Sequence, residues 1–201
     1  MRIISARRVK AVSFVCLILL LGSGLFAAQE MALPPPLQYQ LFLKILRYDR
    51  HFTAKPTTQV VIGILYQSGF RSSYEAMQAF SKAVQGTAQR EFPNASIQAV
   101  PIDLDNQPDL ETALAGSKAD LMYIAPLRAM NLKIITSLSR AKKVITLTGV
   151  PDYAEKGVAV GVGLKGESPE IIINLPAARE EGSDFSSSLL KLARVIEQPL
   201  E

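Results

Sequence analysis

Oxygen-bearing side chains that could bind a metal ion gather at one place in the sequence, around the end of the apolar segment 97–103. Asp103, Asp105, Asn106 and Asp109 follow one another closely, and carboxylate and amide oxygens are the ligands that calcium prefers. Their spacing does not match a calcium-binding loop, which also requires a central glycine and a closing glutamate. Asp109 is better explained as the N-cap of the short helix that follows. The sequence therefore predicts no metal site.

The residue types that most enzymes use are scarce. There is one histidine, His51, and one cysteine, Cys16, which argues against cysteine–histidine chemistry and the usual zinc sites. Neither a Gly-x-Ser-x-Gly elbow nor a Walker-type loop occurs, and Gly161-Val162-Gly163 lies inside a predicted hairpin instead of between a strand and a helix. Two carboxylates at a folded surface could still perform acid–base chemistry. The inventory nevertheless favours a protein that is not an enzyme and has no cofactor.

Four apolar segments with many β-branched residues are expected to form the strands that position the polar side chains. Such runs are typical of strands that are buried on both faces of a parallel sheet, and helical periodicity separates them. A capping box of Ser72 and Glu75 is expected to start the helix with the buried stripe Tyr74, Met77, Phe80 and Val84. Pro101 places its strand at a sheet edge because it has no amide donor. The predicted strands are 58–66, 97–103, 120–125 and 143–148, and the helices include 37–48, with the stripe Leu37, Leu41, Ile45 and Tyr48, and 127–138.

The last third of the chain, residues 157–196, has a different pattern. Alternating valines over 158–163, a polar turn at Gly166–Pro169 and three isoleucines at 171–173 predict a hairpin. An amphipathic helix is expected to follow it as far as Ile196. Together the segments predict an α/β fold, a three-layer sandwich with a mostly parallel sheet and a C-terminal antiparallel hairpin followed by a helix.

Ligands of open α/β sheets bind beyond the carboxyl ends of the strands. In this chain that rim is predicted to carry the candidate ligand-binding residues Gln67, Ser68, Asp103, Asp105, Arg128, Thr148 and Asp152. The alternative is that these residues form only turns and helix caps.

Residues 1–28 have the pattern of a secretory signal peptide. Basic residues precede an apolar segment over 11–21, and Ala27-Ala28 supplies small residues for cleavage. The alternative is a retained anchor helix, which normally needs about 20 apolar residues. The predicted organisation is a signal peptide (1–28), a proline-rich lead-in (29–36) and one α/β domain (37–201). We expect export to a bacterial periplasm.

Removal of the signal changes the charge balance. The chain has 22 Lys+Arg and 18 Asp+Glu, and four of the basic residues but none of the acidic ones lie in residues 1–28. The exported protein would be neutral, with no electrostatic reason to bind nucleic acid or anionic lipid. It would also have no cysteine and no second apolar span.

Several segments resemble the YfiR-like family of exported bacterial proteins. In the C-terminal third these are Ile171–Asn174, Ala177–Arg179 and Ser187–Ala193. Asp120–Ile124 and Val144–Thr148 are similar to the middle segment of family members. Residues 37–48 followed by 60–66 are similar to their opening helix and first strand. The cysteine pairs of the best-known members and the tryptophan-proline after the opening helix are missing, which removes any basis for a redox-sensing role.

The resemblance implies a periplasmic protein that binds the periplasmic part of a membrane diguanylate cyclase and represses cyclic-di-GMP synthesis. Our leading hypothesis is accordingly a regulatory binding protein with a membrane-protein partner, in contact through exposed apolar side chains of the hairpin or of helix 37–48, and with a homodimer surface. The alternatives are a small-molecule binding component of an envelope transport system, and a structural partner in an envelope complex.

Overall fold

The computed structural model describes residues 31–54, 58–86, 92, 95–107 and 109–197. The predicted signal peptide and the first two residues of the lead-in lie outside the described residues. The helices are α1 (Pro35–Leu46), α2 (Arg50–Ala54), α3 (Arg71–Gly86), α4 (Leu110–Ser117), α5 (Leu132–Lys142), α6 (Pro151–Glu155), α7 (Leu175–Glu180) and α8 (Ser187–Leu190). The strands are β1 (Gln59–Tyr66), β2 (Ser96–Asp103), β3 (Leu121–Ile124), β4 (Ile145–Thr148), β5 (Val160–Lys165), β6 (Ser168–Asn174) and β7 (Arg194–Ile196).

The strands form one sheet in the order β2-β1-β3-β4-β5-β6-β7. The strands β1 to β5 are parallel, β6 is antiparallel to β5, and β7 is parallel to β6. Pro101 lies in the edge strand β2, as its missing amide donor requires. The predicted parallel sheet and C-terminal hairpin are confirmed.

Helices cover both faces of the sheet. On one face α1 and α3 pack together over β1 and β3, and the ring of Phe80 stacks on that of Tyr123 with 3.9 Å between centroids. On the other face Leu114, Ile135 and Tyr153, from α4, α5 and α6, belong to a second apolar cluster. The fold is therefore the predicted three-layer sandwich.

A buried amide holds the first helix against the sheet. The Gln38 side chain donates from Nε2 to the Leu33 carbonyl at 2.6 Å, and its Oε1 accepts a hydrogen bond of 2.8 Å from the Tyr123 hydroxyl. Gly149 packs directly on this amide, and a Cβ at that position would overlap the Gln38 side chain. The close approach requires glycine at this position. The backbone conformation does not, because the φ of Gly149 lies outside the left-handed region.

The predicted face of α1 and the predicted start of α5 need correction. In α1 the buried residues include Tyr39, Phe42 and Ile45, whereas Leu37 is 38% exposed and Tyr48, which lies beyond the end of the helix, is 44% exposed. The helix α5 begins at Leu132, capped by the Asn131 side chain, so the predicted start at 127 is wrong. In α1 a neighbouring set of residues, which includes Tyr39 and Phe42, packs on the sheet in place of the predicted stripe.

The predicted capping box of α3 is also wrong. The helix begins at Arg71, and the Ser73 hydroxyl accepts from the Gln67 amide at 2.9 Å, fixing the preceding turn. Glu75 pairs with Arg71 at 2.7 Å instead of capping, and Tyr74 is 40% exposed.

The helix that follows the hairpin is shorter than predicted. Asn174 caps α7, and Gly182, with a φ of +91°, carries the chain into a loop that the predicted helix would not allow. After α8 the chain adds β7 beside β6. The hairpin is therefore covered at the sheet edge by a strand that the sequence analysis did not predict.

The segment between α1 and α2 is fastened to the loop after α7. The Arg50 amide donates to the Asp184 carbonyl and the Ser186 amide to the Tyr48 carbonyl, both at 2.9 Å. The buried carboxylate of Asp49 accepts from the Asp184 amide at 3.1 Å, across 135 residues of sequence. This loop, residues 181–186, thus ties the N-terminal part of the domain to its C-terminal part.

Candidate functional site

The first candidate site is the crevice between the carboxyl ends of β1 and β3. The sheet order changes direction at this point, because α3 and α5 leave β1 and β3 on opposite faces. In open α/β sheets such a switch point is the usual place for a ligand.

The Gln67 side chain bridges this crevice. Its Oε1 accepts a hydrogen bond of 2.6 Å from the Arg128 amide in the loop after β3, and its Nε2 donates to Asp105 at 3.1 Å in the loop after β2. One side chain therefore links the ends of three strands, and both ends of its amide group are occupied.

The carboxylates of Asp103 and Asp105 accept hydrogen bonds from the same turns. Asp103 accepts from the Ser68 amide at 3.1 Å and from the Asn106 side chain at 2.6 Å, and Asp105 accepts from the Gly69 amide at 2.8 Å. Desolvation raises the pKa of Asp103, but the hydrogen bonds from Ser68, Asn106 and Asp105 together lower it below its ordinary value. Asp103 is therefore held as an anion by groups of the loops after β1 and β2.

Arg128 completes the group of predicted residues at the crevice. Its guanidinium carbon lies 4.8 Å from the centroid of the Phe70 ring, a cation–π contact that fixes the loop after β3 against the loop after β1. The fold thus brings together Gln67, Ser68, Asp103, Asp105 and Arg128, from loops that are distant in sequence.

Thr148 and Asp152 lie apart from this group. Thr148 is fully buried, donates to the Ile124 carbonyl at 3.0 Å and accepts from the Val150 amide at 3.1 Å. Asp152 is an exposed residue of α6. The seven residues therefore do not form one site.

The hydrogen bonding at the crevice limits its chemistry. The carboxylates of Asp103 and Asp105 are engaged by groups of the surrounding turns, and Asp109 caps α4 through the amides of Glu111 and Thr112, as predicted. Within the described ranges no cluster of three or more His, Cys, Asp or Glu residues has a geometry that could hold a metal ion. A ligand at this rim remains a prediction, and the arrangement explains the residues equally well as turns and caps.

A second candidate site lies at the opposite, amino edge of the sheet, where Glu181 is 1% exposed. Its Oε2 accepts from the Thr146 amide at 2.8 Å, and Thr146 Oγ1 lies 2.9 Å from both carboxyl oxygens. The Ser139 hydroxyl lies 2.7 Å from Glu181 Oε1 and 2.9 Å from the Thr136 carbonyl. Burial raises the pKa of Glu181 to about 7, despite the opposing hydrogen bonds and the charge of Arg140.

The hydrogen bonds around Glu181 oppose the effect of its burial. The Thr146 amide donates to Oε2, and the Thr146 hydroxyl, which accepts from the Ala159 amide at 2.8 Å, is left to donate to the carboxyl group. The bonds from Ser139 and Thr146 lower the pKa of Glu181, whereas burial, the larger influence, raises it.

A small cavity of about 70 Å³ adjoins this acid. It is lined by His51, Asp120 and Lys143 as well as by Glu181. His51 Nδ1 lies 3.0 Å from the Gly182 carbonyl, Asp120 accepts from the Val61 amide at 2.9 Å, and Lys143 donates to the Glu180 carbonyl at 2.6 Å. Sequence analysis missed Glu181 because nothing in the sequence distinguishes it from the exposed Glu180 beside it.

Exposed apolar side chains form the third feature. Leu37 lies on α1, Tyr48 in the turn after it, Leu164 on the β5–β6 hairpin, and Ile134 and Leu192 elsewhere. Contact surfaces use apolar side chains of this kind. In the part of the chain that the structure describes, none of the helices has both the length and the apolar character needed to cross a bilayer.

Comparison with protein families gives one match. A family model described as YfiR/HmsC-like matches residues 36–194, most of the chain. None of the curated proteins compared with this chain matches it significantly.

Solved structures agree with the fold. The ABC domain in complex with L-Trp from Streptococcus pneumonia is 16% identical with a TM-score of 0.56, over 81% of this chain and 62% of that one. A conserved domain protein from Vibrio cholerae O1 biovar eltor is 14% identical with a TM-score of 0.51, over 81% of this chain and 60% of that one. This chain thus spans about three fifths of the length of each of these α/β structures.

Proposed function

This chain belongs to the YfiR/HmsC-like family, and on that premise we propose that it is a periplasmic regulatory binding protein. It docks on the periplasmic part of a membrane-bound signalling protein and modulates that partner's activity. In the most specific form of the proposal the partner is a diguanylate cyclase, whose synthesis of cyclic-di-GMP the bound protein holds down. The family match over residues 36–194 is the observation that carries the proposal.

The surface of the protein supports a docking role. Leu37 on α1, Tyr48 in the turn after α1 and Leu164 on the hairpin expose apolar side chains in segment 37–48 and in the hairpin, the two segments that the sequence analysis selected for contact. Apolar and aromatic side chains of this kind form the centres of protein interfaces. The same surfaces are the candidates for pairing with a second copy of the chain.

The proposed mechanism is a shift of the partner's conformational equilibrium. A docked protein stabilises whichever state of the partner it binds more tightly, and release frees the other state. The size of the effect is set by the difference in affinity between the two states. No chemical step is needed, in agreement with the internally paired groups of the rim.

The cyclase form is tested by deleting the gene and measuring cyclic-di-GMP. We expect the level to rise and to return when the wild-type gene is restored. An unchanged cyclic-di-GMP level would exclude a cyclase as the partner but would not exclude docking on another membrane protein. The second experiment therefore uses the protein as bait for affinity capture from the membrane fraction. Failure to retain any membrane protein would contradict docking itself.

Variants locate the contact surface. Replacing Tyr48 and Leu164 by serine should weaken capture of the partner, because apolar area is removed from the proposed surface. Ile134→Ser is the matched control, since Ile134 is 58% exposed but lies on α5, on the opposite face from α1. Equal capture by the double variant and the control would exclude the surface around Tyr48 and the hairpin as the contact.

The alternative is a small-molecule binding component of an envelope transport system. It is supported by the likeness in fold to the ABC domain and by the switch-point crevice with Gln67. Thermal unfolding in the presence of amino acids and other metabolites is the test, because a ligand that binds the folded state raises the unfolding temperature. A ligand-dependent increase that Gln67→Ala abolishes would favour this alternative.

A further inference from the structure

The cavity beside Glu181 lies where the helix α2 meets the loop at residues 181–186. Two residues of α2, His51 and Phe52, line this cavity together with Glu181 and Gly182 of the loop. His51 Nδ1 lies 3.0 Å from the Gly182 carbonyl and so joins the helix to the loop. A movement of α2 away from the loop would therefore widen the cavity and admit water to the buried carboxyl group.

The carboxylate of Asp49 fastens the two segments to each other. Its Oδ1 accepts from the Asp184 amide at 3.1 Å and from the amides of His51 and Phe52 at 2.9 and 3.2 Å. The Arg50 guanidinium pairs with the Asp184 carboxylate at 3.1 Å. We call these contacts between residues 49–52 and 182–184 the clasp.

The clasp buries little apolar surface and leaves polar atoms without partners. None of the five residues of α2 is buried, and segments of this kind open at a lower free energy than the whole fold. Asp49 Oδ2 and Ser183 Oγ are buried and have no hydrogen-bond partner among the described residues, which destabilises the closed form. Phe185 is buried in the core cluster and limits an opening to the residues before it.

The cations near Glu181 are engaged elsewhere. Arg140 of α5 pairs with the Glu180 carboxylate at 2.8 Å, and Lys143 at the end of α5 donates to the Glu180 carbonyl at 2.6 Å. In the part of the chain that the structure describes, Glu181 itself has no ion pair. A carboxylate formed there is therefore buried without a direct counterion, which is unfavourable until water reaches it. The other groups at the cavity that can carry a charge are Asp120 and His51.

We propose that Glu181 and the clasp form a pH-sensitive switch. When Glu181 gives up its proton to solvent, α2 and residues 182–184 separate, and water enters the cavity to hydrate the carboxylate. Protonation of Glu181 favours the closed clasp again. Tyr48 is exposed directly before this segment, so the switch links the pH to the shape of the surface at Tyr48. The switch does not require that the protein dock on a membrane partner.

Hydrogen exchange of backbone amides, followed by NMR at pH 5.5 and pH 7.5, tests the switch. The reporters are the amides of Arg50 and Asp184, which donate across the clasp. The closed clasp has its full stability below pH 4.5 and loses it as the pH rises towards 7, because the pKa of Glu181 is about 7 when buried and 4.5 when hydrated. The protection factors of the reporters should therefore fall by about 20-fold between pH 5.5 and pH 7.5.

Variants assign the effect to one side chain. Glu181→Gln should keep the same protection at both pH values, whereas Glu180→Gln, the matched control at its exposed neighbour, should behave like the wild type. His51→Asn, at the same cavity, should also retain the fall in protection. A fall that persists in Glu181→Gln, or that disappears in His51→Asn, would overturn the assignment to Glu181.

Urea separates opening of the clasp from unfolding of the whole protein, and this measurement needs only the wild type. Urea at about 1 M should leave exchange of the reporters unchanged and speed exchange of the amides of β1 and β3, because a local opening exposes little new surface. Reporter protection that does not change with pH, or that responds to urea as β1 and β3 do, would refute the switch.

Discussion

Replacing Glu181 by glutamine should remove a pH dependence from the stability of this protein. Glutamine has the shape of a protonated glutamate, and its amide can donate to Ser139 while its carbonyl accepts from the Thr146 amide. The variant therefore preserves the contacts of the neutral acid and eliminates its ionisation.

The magnitude follows from the pKa. A rise in the pKa of Glu181 from 4.5 in the unfolded chain to about 7 in the folded protein corresponds to a change of about 3 kcal/mol in the free energy of unfolding. Between these values the folded protein retains a proton that the unfolded chain has released, so the free energy of unfolding falls as the pH rises from 4.5 and levels off above 7. The wild type should thus lose about 3 kcal/mol over this range relative to Glu181→Gln. The two proteins should be similar at pH 5, and the variant more stable at pH 8.

Urea unfolding followed by circular dichroism at pH 5, 6, 7 and 8 measures the difference. Other carboxylates contribute to both proteins and cancel. Glu180→Gln removes a neighbouring exposed charge, which pairs with Arg140, and should not reproduce the effect. His51→Asn removes another polar side chain at the cavity and serves as a second control. A difference that stays constant from pH 5 to pH 8, or a variant less stable than the wild type at pH 8, would refute the reasoning.

Two other substitutions test the packing. Gly149→Ala should destabilise the protein by about 1–3 kcal/mol in urea unfolding because the added Cβ would overlap the Gln38 amide. Gly116→Ala is the control and should be neutral or stabilising, because a Cβ added there meets no neighbouring atom within 4 Å. Equal effects of the two substitutions would contradict the close approach at Gly149. Gln67→Leu should lower the free energy of unfolding by about 1 kcal/mol in the same assay. It should also speed hydrogen exchange of the Arg128 amide, which loses its acceptor at 2.6 Å. An unchanged exchange rate would show that the Gln67 side chain does not hold the loop.

Local sequence patterns predicted the sheet well. Apolar runs rich in β-branched residues marked the strands, Pro101 marked the edge strand, and Asp109 marked a helix start. The signals of Pro101 and Asp109 depend on hydrogen bonding at the residue itself and are therefore local.

Helix faces and site residues depended on contacts that the sequence does not encode locally. Tyr39, not Leu37, faces the core because α1 packs against Phe80 from α3. Burial of Glu181 results from Ser139 and Thr146, which are 42 and 35 residues away. The rim residues Gln67 and Arg128 were placed by a general rule for α/β sheets, but their mutual hydrogen bond was not predictable.

The fastening of the α1–α2 segment to the loop at residues 181–186 has a consequence for biosynthesis. Tyr48 and Asp49 find their partners only after about 135 further residues have been made. A nascent chain can therefore pack α1 on α3 once residues 71–86 are made, but it cannot fasten the α1–α2 segment until translation is almost complete, and contacts so distant in sequence form slowly. During most of synthesis the Asp49 carboxylate, which is buried in the finished protein, stays in contact with water.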